Sequence, residues 1–101
     1  MKVQIASQTA AGSTTPFVMN TDSTAFNVGF GVVVSGIVNY TVQHTYDDPS
    51  VGFTNWFPHP TVASQAVNKD GSYSYPVTGI RLTVNSGAGT ATLNLVQSGI
   101  V

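Results

Sequence analysis

Four residues close together in the chain have the side chains of a hydrolase site. His44 has the chemistry of a general base, Ser50 that of a nucleophile, and either Asp47 or Asp48 would orient the imidazole. Strand alternation, however, puts His44 on the same face as Val42, which favours a histidine at the edge of the core. The aspartates begin an Asp-Asp-Pro-Ser segment that is typical of a turn. We therefore predict that the protein is not an enzyme.

The same stretch and His59 contain potential metal ligands. The spacing of His44, His59 and the two aspartates matches neither a zinc pattern nor the regular loop of oxygen ligands at a calcium site. A weak calcium contact at a subunit interface stays open for Asp47 and Asp48, since they are two of only four carboxylates. The prediction is that the protein has no cofactor and no metal centre of its own.

Large aromatic side chains occur in a segment stiffened by proline. Trp56 and Phe57 precede Pro58, and prolines on both sides of His59 exclude a central strand there. Aromatic residues on such a loop either plug the end of a β-sandwich core or anchor an interface with another protein. Both interpretations remain open for Trp56 and Phe57 at the level of sequence.

A polar sheet face is predicted from two alternating segments. In the run from Ile37 to Tyr46, every second residue is apolar or, at His44, an aromatic ring, and the residues between them are mostly polar. Arg81 lies between two apolar residues, so it points away from the core, where it is solvated or pairs with an aspartate of a neighbouring chain. With the aromatic segment and the two turn aspartates, this face gives a candidate protein interface: Asn39, Thr41, Gln43, Asp47, Asp48, Trp56, Phe57 and Arg81.

The elements that position these residues are predicted to be strands. Val, Thr, Ile, Tyr and Phe are abundant, whereas residues that favour helices are scarce. Asp70-Gly71 is a hairpin signal, and the segments Gly79–Asn85 and Thr90–Gln97 are expected to pair as an antiparallel hairpin. About seven or eight short strands result.

This pattern predicts an all-β, single-domain antiparallel β-sandwich or small barrel over residues 1–101, with jelly-roll and immunoglobulin-like topologies both open. The prediction allows residues 1–24 to form an extended N-terminal arm.

Composition restricts the possible partners. Charged residues make up 7% of the chain, against about 25% in a typical soluble domain, and the net charge is −1. No basic patch is available for a nucleic acid or an anionic membrane, so neither is expected as a partner. Ser, Thr, Asn and Gln cover the polar faces instead, which suggests that much of the surface is covered in use. The start of the chain lacks the apolar core of a signal peptide, so the product is expected to begin as a cytoplasmic, soluble protein.

Several patterned segments in the C-terminal two thirds of the chain resemble a family of small virion proteins of tailed bacteriophages. The likeness runs through residues 34–49, Trp56-Phe57, and residues 70–77, 80–84 and 91–99. It implies a structural role at the capsid surface, as a decoration or cement protein that contacts the major capsid protein. The family brings no catalytic residues. A homotrimer is expected because a closed ring matches a threefold site on the shell.

Two alternative functions remain open. The first is an adaptor of the tail, neck or fibre of the same virion. The second is a carbohydrate-binding module in which Trp56, Tyr73 and Tyr75 stack on sugar rings.

Overall fold

Alternating apolar and polar residues form strands along most of the chain. The computed structural model describes residues 2–19, 27–48, 50–73 and 76–97, and within these ranges it contains strands but no helix. The predicted all-β class is therefore confirmed. No helix in this part of the chain is long and apolar enough to cross a bilayer. The strands are β1 (Lys2–Thr9), β2 (Gly12–Ser13), β3 (Phe17–Val18), β4 (Val28–Ser35), β5 (Val38–Thr45), β6 (Phe57–Pro58), β7 (Lys69–Tyr73), β8 (Gly79–Gly87) and β9 (Thr90–Gln97).

The strands form two antiparallel sheets that pack face to face. Sheet A has the order β1-β9-β4-β7, and sheet B has the order β2-β8-β5-β6, with β3 also paired to β8. Because β5 occupies one side of β8, β2 and β3 share its other side and form one interrupted edge strand. Counted in this way, the eight strands have the orders 1-8-3-6 and 2-7-4-5. This is the arrangement of a jelly roll, and it decides between the two topologies left open by the sequence.

The core lies between the sheets and is built from the inward residues of the four long central strands. Leu82 and Leu93 are fully buried, as are Val42 and Val32. Every buried side-chain nitrogen or oxygen among the described residues has a hydrogen-bond partner. The inner faces therefore bury apolar area without leaving polar groups unpaired, which is the condition for a stable sandwich.

The predicted hairpin between Gly79–Asn85 and Thr90–Gln97 is wrong. β8 pairs with β5 in sheet B, whereas β9 pairs with β1 and β4 in sheet A. Both strands do turn their apolar sides toward the core. Two strands turn their apolar sides toward the core whether they are neighbours in one sheet or lie in opposite sheets of a sandwich. Alternation therefore cannot distinguish a hairpin from two strands in different sheets.

The segment allowed as an extended N-terminal arm is instead part of both sheets as far as it is described. β1 pairs with β9 from Lys2 opposite Gln97 to Thr9 opposite Thr90. β2 and β3 then pair with β8. The prediction of a separate arm is therefore wrong for residues 2–19, because strands in this range pair with β8 and β9. Residues 20–24 lie outside the described ranges.

Asp70-Gly71 is not a hairpin turn but the middle of β7, where Gly71 lies opposite Phe30 of β4. A Cβ atom at Gly71 would lie 2.8 Å from Phe30 Cζ and 3.1 Å from His59 Cε1. The glycine is needed because two rings pack closely against the strand at this position. The turn prediction is wrong because these contacts come from residues distant in sequence.

Three passages between the sheets stack side by side at one end of the molecule. We call this the crossing end, and it consists of residues 10–11, 36–37 and 87–89. The amide of Ala10 donates to the Gly89 carbonyl (3.2 Å), and the amide of Gly89 donates to the Ile37 carbonyl (2.8 Å). Gly36 and Gly87 have φ angles of 82° and 95°, a conformation that favours glycine.

Candidate functional site

The outer face of sheet B carries a network of neutral and cationic side chains. Gln43 lies opposite Arg81 on neighbouring strands. Arg81 Nε donates to Gln43 Oε1 at 2.7 Å, and the Thr83 hydroxyl donates to the same oxygen at 2.9 Å. The structure thus brings Gln43 and Arg81 together on one face, at the positions that the alternation predicts.

Trp56 extends this network. The guanidinium carbon of Arg81 lies 4.2 Å from the centre of the Trp56 ring, which is a cation–π contact. Phe53 packs edge-on against Trp56 with ring centres 5.6 Å apart. Burial against these neighbours lowers the pKa of Arg81. Trp56 is half-buried on the outer face, so it does not plug the core between the sheets.

Asn39 and Thr41 lie further along β5 and are partly covered. The amide nitrogen of Asn85 donates to Asn39 Oδ1 (2.9 Å) and to Thr41 Oγ1 (3.0 Å). The backbone amide of Ser64 also donates to Thr41 Oγ1 (3.0 Å), and Thr41 is buried. Of the predicted polar residues on β5, Thr41 is therefore a support for the loop above it, whereas Asn39 and Gln43 remain partly accessible.

Asp47 and Asp48 fix the loop that presents Trp56. Asp47 Oδ2 accepts the backbone amides of Thr54 (2.7 Å) and Asn55 (2.8 Å). These two amides lower the pKa of Asp47 to about 2. Asp48 Oδ1 accepts the amide and hydroxyl of Ser50, which lower its pKa as well. The geometry supports the turn interpretation of both aspartates over a role in nucleophilic catalysis.

Phe57 follows Trp56 in the chain but points toward the core side of sheet B. It pairs with His44 in register, and the two rings are stacked with centres 6.0 Å apart. The ring of Tyr46 lies 5.7 Å from that of Phe57. Sequence reasoning joined Trp56 and Phe57 in one interface, but the structure divides them between the outer face of sheet B and the edge of the core.

Phe57 belongs to an aromatic cluster that the sequence did not reveal. His44 Nδ1 lies 2.9 Å from the Tyr73 hydroxyl, and His59 packs edge-on against Phe30 and Tyr73 with ring centres 5.0 Å away. The available signal was that His44 lies on the core face of its strand. Nothing in the sequence linked His44 to the members of the cluster that lie on three other segments of the chain. The cluster consists of Phe30, His44, Tyr46, Phe57, His59 and Tyr73.

Hydrogen bonds hold the rings of both histidines of this cluster. His59 Nδ1 accepts the amides of Thr61 and Val62 at 3.2 Å, so its Nε2 carries the proton and donates to the Ser72 carbonyl at 3.1 Å. Burial, followed by the neighbouring charge of His59, lowers the pKa of His44. Among the described residues, no group of three or more potential ligands could hold a metal ion.

The three aromatic residues considered for sugar stacking do not form a platform as far as they are described. Tyr73 is fully buried inside the cluster, whereas stacking on a sugar ring needs an exposed flat face. Trp56 already covers Arg81. Tyr75 lies outside the described residues.

The outer face of sheet A is a second accessible surface. Ile5, Val33 and Val96 are exposed there, and Ser7 bonds to Thr92 through their hydroxyls at 2.9 Å. A shallow groove of about 300 Å³ lies beside Gly31 where β4 meets β7, and Lys69, Asp70 and Asn94 also line it. From residue 4 of β1 across β9 to β4, the described outward side chains carry no charge, so this face offers apolar contact and neutral hydroxyls.

Comparisons of the chain with models of protein families, with curated proteins and with solved structures find no match.

Proposed function

We propose that the protein is a structural component of a phage virion that binds the outer surface of the capsid and stabilises it. The observation that carries this proposal is the charge-poor, mutually bonded surface of both sheets on a chain with only 7% charged residues. The proposed partner is the major capsid protein. The threefold ring of copies expected from the sequence is part of the same proposal.

Side chains that already bond to one another, few of them charged, suit a surface that is permanently covered. Gln43 accepts hydrogen bonds from Arg81 and Thr83, and the hydroxyl of Thr9 bonds to that of Thr90 at 2.8 Å. When another protein covers such pairs, few donors or acceptors lose a partner. A surface rich in Lys and Glu would instead require the desolvation of many charges.

Trp56 and Arg81 form the proposed anchor of the contact. Tryptophan and arginine are enriched among the residues that dominate binding energies at protein interfaces. The loop from Asp47 to Trp56 is fixed by two carboxylates, so the anchor is already ordered before binding. An ordered anchor reduces the entropy lost on association.

The proposal is tested by the number and position of copies on purified particles. Many copies distributed over the shell are expected. A few copies at one vertex would support the tail, neck or fibre adaptor instead, and absence from the particle would overturn both virion assignments.

A variant test locates the contact. Trp56→Ala is expected to weaken binding to shells stripped of the protein by at least about tenfold, or about 1.4 kcal/mol. Val51→Ala is the matched control, because Val51 is 84% exposed on the same loop and lies outside the proposed anchor. Equal binding of both variants and the unmodified chain would reject Trp56 as the anchor.

A further inference from the structure

Three of the four sheet edges have features that prevent pairing with another chain. In sheet B, β6 is two residues long and contains Pro58, and the opposite edge is interrupted between β2 and β3 near Pro16. In sheet A, β7 is short and carries Lys69 and Asp70, both exposed. Proline, charge, interruption and short length are the usual protections of a strand edge.

β1, the remaining edge, has none of these protections beyond Lys2 at its start. It is eight residues long and pairs with β9 without a register shift, and after Lys2 it contains no charge and no proline. Among the described residues, no strand pairs with its outer side. A long, regular and uncharged edge is a ready template for a further strand.

We infer that β1 is a pairing edge for a second copy of this chain, with two β1 strands joined antiparallel across a twofold axis. The two A sheets then become one continuous eight-stranded sheet. Within the described ranges each copy has one open edge of this kind, so the contact joins two copies and closes. It goes beyond the proposed function, because it concerns contact between copies and does not require a capsid.

The side chains of β1 suit pairing with an identical strand. Residues opposite each other in an antiparallel pair share a face, so the outward Ile5 must meet an outward residue of the other copy. The register that places Ile5 opposite Ile5 satisfies this condition and buries an apolar side chain that is 63% exposed. It also places position 2 of each copy opposite Gln8 of the other, so the two Lys2 positions lie at opposite ends of the contact.

The same contact is compatible with threefold rings on a shell. A ring would use other surfaces of the molecule, and β1 pairing would link neighbouring rings across local twofold axes. Weak strand pairs would then be used many times on one particle, which multiplies their effect.

The test compares the mass of the assembly in solution for two lysine variants, over a concentration series up to about 1 mM. Ile5→Lys places a charge at the twofold axis and is expected to halve the assembly mass. Val33→Lys is the matched control, because Val33 is 53% exposed on the same face but lies on β4, away from the edge. An unmodified chain that stays monomeric, or a mass that Ile5→Lys leaves unchanged, would overturn the inference.

Hydrogen exchange provides a second measurement that does not depend on the lysine variant. In a single copy, alternate amides of β1 face β9 and the others face solvent. Pairing protects both sets, so slow exchange at consecutive amides from Gln4 to Thr9 is expected in the unmodified chain. Protection of alternate amides only, at concentrations where the mass indicates association, would place the contact elsewhere. Particle copy number tests the proposed capsid role separately from this contact.

Discussion

At the scale of single residues, Arg81 joins the hydrogen-bonded and the aromatic parts of the outer face of sheet B. Its Nε bonds to Gln43, and its guanidinium lies against Trp56. Trp56 is the single tryptophan of the chain, so its fluorescence reports directly on this contact.

We predict that Arg81→Ala shifts the emission of Trp56 toward that of a solvated indole and lowers the free energy of unfolding by about 1 kcal/mol. Both effects follow from the loss of the cation that covers the ring. Fluorescence spectra and urea titrations measure them. Lys69→Ala is the control, because it removes a cation from the exposed edge of sheet A and should leave the emission unchanged.

His44 makes stability depend on pH. Its pKa in the folded protein lies below the usual 6.5, so the unfolded chain binds more protons as the pH falls. The contribution of neutral His44 to stability is therefore complete above 6.5 and is lost as the pH falls below 6.5 toward the folded pKa.

Urea midpoints are expected to decrease between about pH 8 and about pH 5.5, where an ordinary histidine becomes charged. His44→Gln removes the titrating ring and should reduce this decrease. If the midpoint of the unmodified protein stayed constant over the same range, His44 would not be a buried neutral ring.

At the scale of elements, the space around two glycines differs between the crossing end and the open face of a strand. A Cβ atom at Gly89 would lie 2.5 Å from the Ser35 carbonyl oxygen, inside the crossing end. At Gly29, the second residue of β4, no atom lies within 4 Å of the corresponding position.

We therefore expect Gly89→Ala to destabilise the protein by about 1–3 kcal/mol, because the added methyl group collides with backbone. Gly29→Ala is expected to be neutral or to stabilise by up to about 1 kcal/mol, since alanine loses less conformational entropy in a strand. Thermal or urea unfolding of the two variants measures the difference. Similar losses in both would contradict the close packing at the crossing end.

Sequence reasoning located the long strands because a side-chain period of two is visible without a partner. It placed Arg81 on the same kind of face as Gln43 for the same reason. Pairing was less accessible, because alternation specifies which face is buried and not which strand lies beside it. The β8–β9 hairpin failed for this reason.

The missed parts of the site depend on contacts between distant segments. His59 is held by the loop that follows it and packs against Phe30, far away in sequence. The open edge of β1 depends on the order of all the strands in the two sheets. Both features are properties of the assembled sandwich, and neither has a local signal in the chain.

At the scale of the whole molecule, the low charge predicts an unusual response to salt. Between about 0.1 M and about 1 M NaCl the Debye length falls from roughly 10 Å to roughly 3 Å, which weakens contacts made by exposed charges. Association of this chain with itself is expected to change by less than about twofold over that range, as measured by sedimentation. A loss of tenfold or more would mean that the few charged residues dominate the contact.

The crossing end also determines how the chain reaches its native state. At each of its three passages, consecutive strands enter different sheets, so β1–β2, β4–β5 and β8–β9 do not form hairpins. Residues near positions 10, 37 and 89 must meet before the ladder between the passages can form. The chain loses conformational entropy when these long loops close, before the hydrogen bonds between the passages form and compensate for that cost. Refolding is therefore expected to take milliseconds to seconds, with a rate set by topology more than by stability.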